Sequence, residues 1–397
     1  MPEPDATTRW VYLDNNATTR ADSRVVEAML PFFRKHFANP SSIHGLGSAA
    51  AEAMSTARSQ VRSLLGAGRD SEIVFTSGGS EANNTAIFSA LAMQAGRDEI
   101  VTSQVEHPSV LAVCAYLEAT GRAKVHRIPV DKLGHLDLES YREAFSKRTA
   151  LATFQWANNE TGVVFPVAAL ASIAHRAGAL FHTDAVQAAG KIGMKLQATE
   201  IDMLSVSAHK MHGPKGIGAL YVRHGVELAP LVHGGRQEHA RRAGTENTPA
   251  IAGFGLAAEL AQEALDNDVP RICALRDRLQ QEILNSVAGA MVIGDECNRL
   301  PNTVNIAFEE VEADSILSML DDAWIAASSG SACSAGSMEP SHILRAMKVP
   351  FSHLRGAVRF SLSRESCDRD VERVLEVLPK MVKELQAMSI PMEAAYG

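Results

Sequence analysis

Seven short apolar runs follow one another between residues 72 and 222, at about 72–76, 99–103, 125–130, 150–156, 179–183, 201–206 and 217–222. The intervals 81–95, 108–120, 137–146 and 166–177 carry helix-like apolar spacing. Strands that are apolar throughout need cover on both faces, and the helices between them supply it. The alternation therefore argues an α/β fold, a mainly parallel seven-stranded sheet covered by helices. Before it come a brief apolar strand at Val11, a helical spacing from Val25 to Phe33, and a loop by composition at Asn39–Gly47.

After Pro249 the texture changes. Leu275, Leu279, Ile283 and Val287 repeat every four residues, with Pro270 interrupting the helical pattern. An extended segment at 302–308, a helix near 314–321, a strand at 357–362 and a helix over about 368–387 read as a smaller α+β domain. At 397 residues the chain exceeds one compact core. The expected division is a large cofactor-binding domain over 15–258, with 1–14 and 259–397 forming the small one.

A net charge of −8, without a basic stripe, gives no reason to expect nucleic acid as a partner. The five cysteines stand singly, without zinc spacing, as suits a reducing compartment. The first residues carry no apolar leader segment, and no apolar run is long enough to span a bilayer. A cytoplasmic protein with no membrane association is expected.

In open α/β sheets ligands gather at the carboxyl ends of the strands, and the polar residues just after the apolar runs are the candidates for chemistry. Lys210 lies between two strands, with Ser207 and His209 as donors beside it and Gly213, Pro214 and Gly216 opening the backbone. Most loop lysines are solvated, and Lys215 is a second one nearby. Neither has the glycine and helix context of a Walker loop, so a Schiff-base lysine is the better expectation if the chain also supplies a pyridine partner and a phosphate cup. The turn Ser77-Gly-Gly-Ser80 leads from a strand into a helix and offers free N–H groups, with Gly79 and Ser80 at the cup; a helix simply capped by Ser80 is the alternative. His107 follows a strand end. Asp184 can keep a pyridine nitrogen protonated, or merely cap a helix. Ser328 to Ser337 is rich in small residues that cannot build a core, so a mobile loop with an exposed, reactive Cys333 is expected.

Taken together, Leu13-Asp-Asn-Asn-Ala-Thr-Thr, Asn39-Pro-Ser-Ser, Ser77-Gly-Gly-Ser-Glu, Glu106-His-Pro, Trp156-Ala-Asn-Asn-Glu-Thr-Gly, His182-Thr-Asp-Ala-Val-Gln, His209-Lys-Met-His-Gly-Pro-Lys-Gly, Arg242-Ala-Gly-Thr-Glu-Asn, Ser328-Ser-Gly-Ser-Ala-Cys, Glu339-Pro-Ser-His and Val358-Arg-Phe-Ser-Leu resemble the pyridoxal-phosphate cysteine desulfurases. The likeness is to the NifS-like branch of the class V aminotransferases, which is associated with nitrogen fixation, and it runs in order from about residue 11 to 363. It implies a fold-type I homodimer that binds pyridoxal 5'-phosphate and converts L-cysteine to L-alanine, handing sulfur to an iron–sulfur scaffold protein. Lys210 would form the Schiff base, His107 would stack on the ring and act as acid or base, Asp184 would pair with the ring nitrogen, and Gln187 would bond the ring hydroxyl. Gly79, Ser80, Ser207 and His209 would hold the phosphate, and Thr245 would reach the neighbouring subunit's cofactor. Asn159 is expected both beside the cofactor and, with Arg359, on the substrate carboxylate. Cys333 would attack the substrate sulfur; no intrinsic metal is expected, although the persulfide would make Cys333 a transient iron–sulfur ligand.

The sequence departs from the family pattern at Ser80 and Ser334, where threonine is usual, and more at Arg236, His239 and Ala240. A selenocysteine lyase or an aminotransferase on the same fold is the nearest alternative, and a silent sulfur-transfer scaffold a more distant one. Cys333 speaks against an aminotransferase, and the intact set Lys210, Asp184, His107, Cys333 and Arg359 against a silent scaffold.

Overall fold

The structure, a computed structural model, describes residues 9–329 and 340–388. In chain order the strands are β1 (Val11–Tyr12), β2 (Ile73–Thr76), β3 (Glu99–Ser103), β4 (Lys124–Ile128), β5 (Thr149–Gln155), β6 (Leu180–Asp184), β7 (Met203–Ser207), β8 (Gly218–Val222), β9 (Ala290–Val292), β10 (Thr303–Phe308), β11 (Ile325–Ala326) and β12 (Ala357–Ser361). Seven of them form one sheet in the order β2-β8-β7-β6-β5-β3-β4. Each matches one of the seven apolar runs. All its neighbours pair in parallel except β8, which runs antiparallel to both β2 and β7. Every residue of β5 is buried, as befits a strand covered on both faces.

The cover comes from helices. On one face the helix Gly79–Met93 turns Ala82, Ala86, Ile87 and Ala90 onto Val74, Ile100, Leu151, Met203 and Leu220. On the other, Val61, Leu65, Leu170, Ala174, Phe254 and Ala257 pack against Phe75, Phe154 and Phe181. The helix Gly45–Leu65, which the loop reading at Asn39–Gly47 does not anticipate, lies along the helix Thr248–Asn267. Their closeness requires glycine: a Cβ on Gly255 would stand 2.4 Å from Ala57 Cα.

A three-stranded antiparallel sheet, β12-β10-β9, carries the second core with the helices Val269–Ser286, Ala313–Asp322 and Asp368–Met388. Pro270 sits in the first turn of Val269–Ser286, where its missing N–H costs nothing, so it opens that helix rather than interrupting one. β1 pairs with β11, and Asp14 bridges to Ser361, which brings the N-terminal segment against β12. No helix among the described residues is long and apolar enough to cross a membrane.

Candidate active site

The carboxyl ends of β2, β3, β5, β6 and β7 point to one side of the sheet, and the segments leaving them enclose a cavity of about 420 Å³. It is lined among others by Gly79, Ser80, His107, Asn159, Asp184, Gln187, Ser207, His209, Lys210 and Arg359. The fold thus brings together every expected site residue within the described chain except Thr245, which is exposed and does not line this cavity. Cys333 lies outside the described residues.

At one end is the N-terminus of the helix Gly79–Met93, whose cap residue Gly78 supplies no side-chain acceptor. Ser80 does not cap it, and Glu81 is turned back to the Ser77 N–H at 2.8 Å and to Arg242 Nε at 2.9 Å. The first N–H groups and the positive end of the dipole are left toward the cavity. A Cβ on Gly79 would meet Val186 Cγ2 at 2.6 Å, and one on Gly218 of β8 would meet Gly78 Cα at 2.8 Å, so backbone is packed on backbone here. Ser207 ends β7 beside this turn. Burial, then the Lys210, Lys215 and Lys191 charges, push His209 down to about 4, leaving a neutral ring whose Nδ1 lies 3.1 Å from Thr18 Oγ1.

Lys210 follows β7 in a single turn of 3₁₀ helix, and its Nζ donates to the carbonyls of Asn16 and Ala17, both at 2.6 Å. Asp184 ends β6, with Oδ1 accepting the Val186 N–H at 3.0 Å and Oδ2 accepting from Asn83 Nδ2 at 2.7 Å. His107 caps the helix Pro108–Ala119 through Nδ1, which accepts the Ser109 N–H at 3.1 Å. Gln187 Nε2 donates to Asn16 O at 2.9 Å, and its Oε1 accepts from Lys191 Nζ at 2.8 Å. Arg359 is 2% exposed; its Nη1 donates to Asn159 O at 3.0 Å and its Nη2 to Asp14 Oδ1 at 2.6 Å.

Three polar residues at the site carry no role in the sequence reading. Asn16, 1% exposed, accepts from Lys210 and Gln187 through its carbonyl and from Lys191 through Oδ1, and donates to Asn159 O and Thr303 Oγ1. Lys191 stands behind Gln187, where burial, Lys210 and Arg359 hold its pKa well below the usual lysine range. Asn83 bridges Asp184 and Ser109. Asn16 and Asn83 lie inside recognisable motifs, but nothing in the sequence says which polar groups meet inside the fold.

These donors fit a pyridoxal phosphate. An uncapped helix terminus with two hydroxyls and an imidazole suits a dianionic phosphate. A carboxylate suits a pyridine nitrogen, a fixed amide donor suits a ring oxygen, and an amine suits an aldehyde.

The model of the class-V aminotransferase family matches residues 11–374 of this chain. A cysteine desulfurase of Gluconacetobacter diazotrophicus is 60% identical over 379 residues, covering 96% of this chain and 95% of the relative. The cysteine desulfurase NifS of Azotobacter vinelandii is 51% identical over 379 residues, covering 96% of this chain and 94% of that one. Among solved structures, a NifS-like protein superposes with a TM-score of 0.89 at 36% identity, covering 95% of this chain and 100% of that chain.

Proposed function

The chain belongs to the class-V aminotransferase family, and on that premise we propose that it is a pyridoxal-phosphate cysteine desulfurase, which cleaves L-cysteine to L-alanine and keeps the sulfur as a persulfide on Cys333. The observation that carries this reading is the meeting, in one cavity, of a lysine amine, a buried carboxylate and an uncapped helix terminus. When bound, the cofactor draws electron density from the carbon atoms of the substrate.

The rest of the work falls to the chain. Lys210 would anchor the cofactor, and its amine, when free, would move a proton at the substrate carbon. Asp184 would keep the ring nitrogen protonated, Gln187 would donate to the ring oxygen, and His107 would cover the ring. Gly79, Ser80, Ser207 and His209 surround the phosphate, with Asn159 beside the cofactor. Arg359, held by Asp14 and the Asn159 carbonyl, receives the substrate carboxylate together with Asn159. The Cys333 thiolate attacks the substrate sulfur. A sulfur–sulfur bond forms, the carbon–sulfur bond breaks with its electron pair staying on carbon, and protonation of that carbon gives alanine.

Both flanks of the segment carrying Cys333 are fixed beside the cavity: the Ser328 backbone pairs with Arg359, and Ser341 Oγ donates to Glu160 Oε2 at 2.6 Å. Cys333 stands five residues beyond Ser328, a tether of at most about 18 Å. That length supports delivery of the thiol to the cofactor and, afterwards, of the persulfide to a partner.

The enzyme works as a homodimer, with Thr245 of each chain reaching the other's cofactor. Residues 15–258 form the cofactor-binding domain, and 1–14 with 259–397 the domain bearing Cys333. The acceptor is an iron–sulfur scaffold protein in the cytoplasm, serving nitrogenase maturation, and Cys333 is a transient ligand there through its persulfide.

Incubation of the purified protein with L-cysteine and a thiol reductant tests the reading. Alanine and sulfide are expected in equal amounts with no keto acid added. Alanine that appears only when a keto acid is supplied would make the protein an aminotransferase.

A further inference from the structure

Asn83 and Ser109 join the two side chains that border the ring position, His107 and Asp184. Asn83 is 1% exposed, and its Nδ2 donates in two directions, to Asp184 Oδ2 at 2.7 Å and to Ser109 Oγ at 2.8 Å. Ser109 Oγ in turn lies 2.8 Å from His107 Nδ1, the nitrogen that already receives the Ser109 N–H.

The hydrogens along this chain have one consistent arrangement. An ionised carboxylate only accepts, so the Asn83 amide must turn its NH₂ toward Asp184, and its second hydrogen then points at Ser109 Oγ. With that oxygen accepting, the hydroxyl hydrogen is directed to His107 Nδ1. A ring nitrogen that faces two donors carries no hydrogen of its own, which places the imidazole proton on Nε2. A second proton on Nδ1 would break both contacts and set a positive charge at the N-terminus of the helix Pro108–Ala119, against its dipole. Among the described residues, the titratable and charged groups near the ring include Asp184, Lys210 and Arg359 in the cavity wall, Glu106 next in the chain, and His342, whose Nε2 meets Glu106 O at 3.1 Å. Burial raises Glu106 to about 8 and lowers His342, so both lean toward the neutral form.

We infer that Asn83 and Ser109 are positioning residues that tie His107 to Asp184 and hold its imidazole neutral with the proton on Nε2, so that in the resting enzyme Nε2 is a fixed hydrogen-bond donor and Nδ1 is already occupied as an acceptor. What His107 then does rests on the proposed desulfurase reading; the tautomer rests on the geometry of the chain alone.

The test is nitrogen-15 NMR of the holoenzyme labelled at histidine, without substrate, with the His107 signals assigned by their loss in His107→Gln. A protonated Nε2 and a bare Nδ1 are expected from about pH 6 to 8. Ser109→Ala, which keeps the backbone N–H cap, should give mixed tautomers and a ring that titrates in that range. Ser109→Thr should restore the wild-type spectrum, and Asn83→Leu should behave as Ser109→Ala does. Retained cofactor absorbance checks that each variant is folded; if Asn83→Leu is not, Ser109→Ala decides. A wild-type His107 with its proton on Nδ1, or a Ser109→Ala spectrum identical to wild type, would overturn the inference. Alanine release from L-cysteine decides the desulfurase reading separately.

Discussion

Lys210 and Lys215 are five residues apart and differ in everything that matters for chemistry. Lys215 is exposed, whereas Lys210 reaches into the cavity and is held by two carbonyls. Lys210→Ala is therefore expected to abolish turnover and the near-visible absorbance of the lysine-linked cofactor, while Lys215→Ala keeps both. Asp184→Asn preserves the shape of its site and removes the charge. Cofactor should remain, but turnover should fall by a factor of about 100 or more, and near-normal turnover would contradict the pairing with the ring nitrogen. Glu106 gives a stability prediction. It is fully buried, with Oε1 accepting from Ser103 Oγ at 2.5 Å, and burial raises its carboxyl to about 8. A folded-state value above the unfolded one means that the native state holds the extra proton. The stabilisation is complete below about pH 4.5 and is lost as pH rises toward 8. Glu106→Gln keeps a neutral group there at every pH. Its Tm should decline less than the wild-type Tm across that interval, by about 2 °C or more, as scanning calorimetry would show.

At the scale of elements, the turn after β2 is as demanding as any side chain. A Cβ on Gly218 would approach Val206 O to 2.5 Å and Gly78 Cα to 2.8 Å, so Gly218→Ala should push the Gly78 turn away from β8. We expect a loss of about 1–3 kcal/mol in denaturant unfolding and weaker retention of cofactor through its phosphate. The seven strands of the sheet were legible because each is a dense apolar run between helix-like stretches. The helix Gly45–Leu65 was not, because its first three turns bury Gly47, Ala50 and Ala57 with Met54 the one large residue, its partner offers Gly255, and the larger Val61, Leu64 and Leu65 come only at its end. The same limit applies to the site. Lys210, Asp184 and His107 sit at strand ends, where sequence pattern and chemistry point to the same residues. Asn16 and Lys191 owe their places to partners more than a hundred residues away, and such pairings have no local signature.

At the scale of the whole molecule, the segment from Val26 to Leu46 leaves Phe33, Phe37, Ile43 and Leu46 exposed, with Ile43 bare of any cover. So much apolar surface suits burial against a second copy of the chain. If the proposed homodimer is formed through this segment, replacing Ile43 and Phe37 with glutamate should shift the protein toward monomer in light scattering and, with Thr245 in its proposed role, loosen the cofactor. Cys114 is buried and pushed up to about 12, which makes it a poor nucleophile. The most direct measurement of the central claim is peptide mass spectrometry after a brief exposure of the holoenzyme to L-cysteine. The account predicts one added sulfur atom on the peptide carrying Cys333, and a Cys333→Ala variant that binds pyridoxal phosphate and L-cysteine but releases almost no alanine; sulfur on another cysteine, with Cys333→Ala still active, would contradict it.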